Sequence, residues 1–324
     1  MQPKKLNVLI ATFPYAGNGG ISSQADEVSD WLTMTMIKAH DDPRVEWIEK
    51  RKFSDTPIPM TRNKSVLTAR EMGADVLVMV DSDMWPDMAL QHGDPTAVPF
   101  WDTAFEYLYR HYDKGPVVIG APYCGPPPNE AVYVFKWLNR ESGHPNLDFQ
   151  IEKYDREEAR HMAGIQECAA LPTGLIMYDM RVFALTEPQA KKDALRDRIL
   201  FPYRDRSLSP EEAVELASRA IELSEHAEDS WFYYQWKDAY QTEKGSTEDV
   251  TATRDMAFHG YMKLGYNPLR CAWDCWAGHW KVKCVPKPHV LSASQVSAKY
   301  HRAAMSANGE MKDIQAHEVL AMMR

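Results

Sequence analysis

Ala74-Asp75-Val76-Leu77-Val78-Met79-Val80-Asp81-Ser82-Asp83 joins a long apolar run to a pair of acids. Its apolar portion is continuous rather than alternating, the pattern of a strand covered on both faces by helices. Asp81 and Asp83 follow at once, two residues apart. Ligands bind open α/β sheets outside the carboxyl ends of their strands, so this acidic pair stands where chemistry is expected. Adjacent carboxylates repel, and a chain that keeps them close supplies a cation, a proton or a basic partner. Hard oxygen ligands suit magnesium or manganese, with coordination positions left for diphosphate oxygens. The competing reading is a turn in which Asp81 caps a helix and Asp83 faces water.

Working outward, the run Leu6 to Ala11 predicts a buried strand ending in Thr12-Phe13-Pro14-Tyr15, and Gly17, Gly19 and Gly20 a turn. A helix is expected over Ser23 to Ala39 and a short strand over Val45 to Lys50. Thr61-Arg62-Asn63-Lys64 leads into a helix ending near Glu71, with Gly73 as its stop. Val117-Val118-Ile119-Gly120 reads as another covered strand. This alternation predicts an α/β, Rossmann-related domain with a mostly parallel central mixed sheet. Past Pro122 the regularity weakens. Tyr133 to Leu138 is expected to open the mixed part of the sheet, and Pro172-Thr173-Gly174 to turn between apolar segments. Ser209 and Pro210 start a helix reaching Glu225, and Thr247 can cap another running to Leu264. That places Glu248 and Asp249 in a first turn, where the helix dipole favours ionised acids. A purely capping role for them stays open.

Composition excludes several classes. A net charge of −9 offers no extended basic field for collecting nucleic-acid phosphates. Five cysteines fit a reducing compartment better than a disulfide framework. The apolar run at Leu6 is too short to cross a membrane and lacks a cleavage pattern, so no transmembrane segment and a cytoplasmic location are expected. The 10 Trp and 15 Tyr exceed a minimal core, yet core filling explains them before a carbohydrate cleft does.

The order of these motifs resembles glycosyltransferases of the GT-A fold, family 2-like enzymes built around Asp-X-Asp. The resemblance covers residues 6–185 and 245–282. Thr61-Arg62-Asn63, a helix, the strand Val76 to Val80 and Asp81-Ser82-Asp83 follow the family's order. Pro172-Thr173-Gly174 corresponds to its small-residue turn, and Met180-Arg181-Val182-Phe183 to the segment after it. Thr247-Glu248-Asp249 corresponds to its X-Glu-Asp motif, with Gly265-Tyr266, Trp273-Asp274 and Gly278-His279 in sequence behind. Glu228-Asp229 competes for the Glu-Asp position but sits less well against Gly265 and His279.

The resemblance implies a transferase that moves a sugar from a nucleoside-diphosphate sugar to a hydroxyl, with Mn²⁺ or Mg²⁺. Thr12, Phe13, Pro14 and Arg62 would meet the nucleotide, and Asp81 the ribose or a metal-bound water. Asp83 would bind the metal directly, with His279 as a third ligand. In an inverting enzyme Asp249 would be the base and Glu248 a neighbouring sugar or acceptor ligand; in a retaining one Asp249 would orient substrate. The implied organisation is a nucleotide-sugar-binding region over 1–184, a helical and aromatic insertion over 185–246, completion of the catalytic domain over 247–290, and a tail over 291–324. Trp231-Phe232-Tyr233-Tyr234-Gln235-Trp236 in the insertion is expected to shape acceptor binding or an assembly contact, and an oligomer stays open.

The acceptor is a glycan, a small glycoside, a protein or a hydroxylated DNA base. Lys281, Lys283 and Lys287 could give the last a positive edge, though a solvated strand face explains them more simply. A sugar nucleotidyltransferase and a silent carbohydrate-binding or assembly protein are the rival readings. Cys271, Cys275, His279, Cys284 and His289 suggest a zinc module, but their spacing is not that of a common finger.

Overall fold

In the computed structural model of the chain, residues 4–16, 22–54, 58–125, 131–138, 150–184, 209, 211 and 248–280 are described. Thirteen described strands run in chain order. They are β1 Leu6–Phe13, β2 Tyr15–Ala16, β3 Ser22–Ser23, β4 Val45–Lys52, β5 Val76–Asp81, β6 Met84–Trp85 and β7 Val118–Gly120. After them come β8 Phe135–Trp137, β9 Ile151–Lys153, β10 Ile165–Glu167, β11 Leu175–Asp179, β12 Leu269–Ala272 and β13 Gly278–His279. Seven of them make the main sheet, in the order β10-β12-β7-β11-β5-β1-β4.

The fold is mixed α/β, and the sheet corrects the expected parallel character. β1 pairs in parallel with β4 and β5, and β7 with β12, whereas β11 is antiparallel to both β5 and β7 and β10 is antiparallel to β12. Most of these strands share one direction, but half of the neighbouring pairs are antiparallel. The physical cause is β11. It enters the middle of the sheet between β5 and β7, so two pairings reverse at once.

Two cores flank the sheet, as the side-chain period of a strand requires. Leu9, Ala11 and Phe13 of β1 join Leu77, Met79, Ile176 and Tyr178 on one face. Leu6, Val8 and Ile10 join Val76, Val78, Val80, Leu175 and Met177 on the other. The second face is covered by helix α1, Asp26–Asp41, through Val28, Trp31 and Leu32. It is also covered by Phe100–His111, a helix the sequence reading passed over, through Phe100, Ala104, Phe105 and Leu108. The first face receives α2, Ile58–Glu71, through Val66 and Ala69, and the segment after Glu248 through Ala252, Met256 and Tyr261.

Gly73 stops α2 as expected, with φ +68 in the left-handed region that glycine adopts without penalty. The predicted helix to Leu264 appears as an α-helix over Glu248–Asp255, a π turn over Met256–Gly260 and a 3₁₀ turn over Tyr261–Leu264. No zinc module forms among the described residues. Cys271 and Cys275 are buried free thiols, and burial pushes both well above the usual thiol range. Cys284 and His289 lie outside the described residues. Among those residues no helix is long and apolar enough to cross a membrane.

Candidate functional site

Parallel register sets the ends of β1 and β5 level, so that Phe13 stands opposite Asp81. From α2, Arg62 reaches the same point. Its Nη2 donates to both Asp81 carboxylate oxygens at 3.1 and 3.2 Å, and its guanidinium lies over the Phe13 ring at 5.9 Å. The Arg62 side chain is only 5% exposed, so its charge is directed into the protein and not to solvent. Asp81 keeps part of its side chain exposed, yet burial pushes its carboxyl up; Arg62 opposes that rise, and the charges of Asp83 and Asp249 add to it. A carboxylate perturbed both by burial and by named charged neighbours, at the end of a sheet strand, is a mark of functional sites.

Asp83 is met by a residue almost two hundred positions away in sequence. The two-residue strand β13 pairs antiparallel with β6, setting His279 opposite Met84 and Gly278 opposite Trp85. The Trp280 N–H donates to the Asp83 carbonyl at 2.7 Å, and the Trp280 and Trp85 rings stack at 5.3 Å. This ribbon brings His279 Nε2 to 3.4 Å from Asp83 Oδ2. A carboxylate beside an imidazole suits a divalent cation. The nitrogen favours manganese, because magnesium prefers an all-oxygen shell. Among the described residues no three His, Cys, Asp or Glu side chains converge on one preassembled metal site. Asp81 is turned toward Arg62, leaving Asp83 and His279 as the pair placed to hold an ion.

Asp249 arrives on the helix beginning at Glu248. The Thr173 N–H donates to Asp249 Oδ2 at 3.2 Å, and the Thr173 hydroxyl stands 3.5 Å from the same oxygen. One turn on, Thr253 Oγ1 accepts from the Leu171 N–H at 3.0 Å and donates to the Leu171 carbonyl at 2.9 Å. Residues four apart share a helix face, so these contacts lock the helix against the Pro172-Thr173-Gly174 turn. Gly174 closes the circuit, its carbonyl accepting from the Asp81 N–H at 2.9 Å. The side chain of Glu248 and the cap at Thr247 fall outside the described residues, as does the rival Glu228-Asp229 pair.

Thr12, Phe13 and Pro14 are buried at the end of β1. Thr12 turns its hydroxyl inward, 3.5 Å from the Arg51 carbonyl, so Phe13 and Arg62 form the nearer surface toward Asp81. Sequence reasoning missed Tyr123. Its ring packs edge-on to His279 at 5.4 Å, and burial pushes its phenol well above the usual range, with Asp249 and Asp81 adding to the rise. The only signal was its place just past the Val118–Gly120 strand.

No known sequence family matches the chain, and no curated protein does. Among solved structures it is similar in part to one titled "Crystal Structure of A197 from STIV", with 11% identity and a TM-score of 0.30. That match covers 55% of this chain and 66% of the other. Asp81, Asp83, Asp249 and His279, spread over much of the sequence, thus gather at one end of the sheet around Arg62, Thr173, Gly174 and Tyr123.

Proposed function

We propose that this chain is a metal-dependent glycosyltransferase of GT-A type, using a nucleoside-diphosphate sugar to glycosylate a hydroxyl. One observation carries the reading: the acidic pair, the Thr173-Gly174 turn, Asp249 and His279 meet at the carboxyl ends of β1 and β5.

Asp83 and His279 are the residues that would hold a divalent cation. When bound, such an ion neutralises charge on a departing nucleoside diphosphate. Arg62 fixes the Asp81 carboxylate and adds a buried positive charge at the same strand end. The Phe13 ring lies beneath the Arg62 guanidinium and backs it at the strand end where the nucleoside would bind. Asp249 is anchored to the Thr173 backbone, so its carboxylate cannot swing away, and in an inverting enzyme it takes the proton of the attacking hydroxyl.

The test is product analysis after incubating the chain with manganese, a panel of nucleotide sugars and candidate acceptors. Free nucleoside diphosphate with a glycosyl mass increment on an acceptor is expected. Pyrophosphate instead would contradict the reading and favour nucleotidyl transfer.

A further inference from the structure

Tyr123 sits in the candidate site without a structural task for its hydroxyl. The residue is 5% exposed. Its ring is clamped: a methyl group built on Gly174 would meet Tyr123 Cε1 at 2.7 Å and Cζ at 2.8 Å. On other sides the ring packs edge-on to Tyr133 at 5.6 Å and His279 at 5.4 Å. The hydroxyl has no hydrogen-bond partner among the described residues. A hydroxyl held this rigidly without a protein partner among the described residues is placed to donate its proton to a ligand oxygen.

The sheet order says which part of a ligand. Asp81 ends β5, Gly174 precedes β11, and Tyr123 follows β7, so these groups step across three neighbouring strands away from β1. A nucleoside against Phe13 and Arg62 with its diphosphate at Asp83 must extend its sugar away from β1. That direction leads past Gly174 to Tyr123. We infer that the Tyr123 hydroxyl donates a hydrogen bond to an oxygen of the sugar being transferred and so selects the donor. This rests on the glycosyl-transfer reading above and adds the residue that reads the sugar.

The experiment compares wild type with Tyr123→Phe, which keeps the ring against Gly174 and His279. Affinities are measured in manganese for UDP-glucose, UDP-galactose, UDP-N-acetylglucosamine and GDP-mannose, each beside its free nucleoside diphosphate, with a thermal melt of both proteins. An unchanged melt and a roughly fivefold loss for the preferred nucleotide sugar, with none for its diphosphate, is expected from one lost hydrogen bond. Equal affinities for the sugar donor, or equal losses for donor and diphosphate, would overturn the inference. Should the variant melt early, deoxy analogues of the preferred donor test the wild type alone. One deoxy position must then weaken binding by a similar factor, and indifference at every position overturns the inference. If wild type binds the diphosphates but gains nothing from any sugar, this inference falls while the nucleotide site stands. If it binds neither, the glycosyl-transfer reading falls first.

Discussion

An aspartate in the first turn of a helix tolerates asparagine when its task is capping, since both side chains cap well. Asp249 is instead held against Thr173 in a cluster with Asp81 and Tyr123. Asp249→Asn should keep the fold and the nucleotide-sugar affinity while single-turnover transfer falls by roughly 10²–10⁴-fold, the usual worth of a lost general base. A normal rate would return Asp249 to architecture. Gly174→Ala tests the packing around it. Its methyl would press on the Tyr123 ring and on Met84 Sδ at 2.7 Å, so a stability loss of about 1–3 kcal/mol is expected in denaturant titration. Asp87 supplies a third test. It takes a left-handed φ of 55 and accepts from the Trp31 indole at 2.9 Å and the Phe100 N–H at 2.7 Å, tying α1 to the Phe100 helix. Burial pushes its carboxyl up from 3.8 to about 6, against the pull of those two hydrogen bonds. The folded protein then binds this proton more tightly than the unfolded chain, so the residue's contribution is full below pH 3.8 and is lost as pH rises through about 6. Thermal melts should show the stability difference between wild type and Asp87→Asn shrinking from pH 4 to pH 7. A pH-independent difference would contradict the assignment.

At the scale of elements, β6 and β13 carry the argument that sequence spacing could not. Asp81-Ser82-Asp83 was legible because a continuous apolar run announces its strand. Gly73 was legible because its αL conformation is a local property. The Phe100–His111 helix was also legible, since Phe100, Trp101, Ala104, Phe105 and Leu108 recur at helical spacing. Tyr123 was not readable, because nothing local marks a loop tyrosine whose partners arrive from β11 and β13. The reversal at β11 was equally hidden, since strand direction is set by connections rather than by apolar pattern. His279 was expected by motif order alone, and its 3.4 Å approach to Asp83 depends on a ribbon of two residue pairs and one stacked tryptophan pair. His279→Ala should therefore weaken manganese binding by at least about tenfold with little change in melting temperature. Unchanged manganese affinity would make the Asp83–His279 contact merely structural.

For the whole molecule, the mixed sheet with a core on each face gathers the candidate site residues, among those described, at one end. That is where β1 and β5 finish and where the four named motifs meet. The aromatic run Trp231 to Trp236 expected to shape acceptor binding, the lysines after Trp280 and the tail over 291–324 lie outside the described residues. The described residues bear on the donor and its metal rather than on the acceptor. Metal-dependent donor binding is tested by titrating the chain with the nucleotide-sugar panel in manganese, after chelation, and as the Asp83→Ala variant. Saturable binding of one donor in manganese, abolished by chelation and by the folded variant, is the predicted result. No donor binding in manganese, or binding indifferent to both chelation and Asp83, would contradict it.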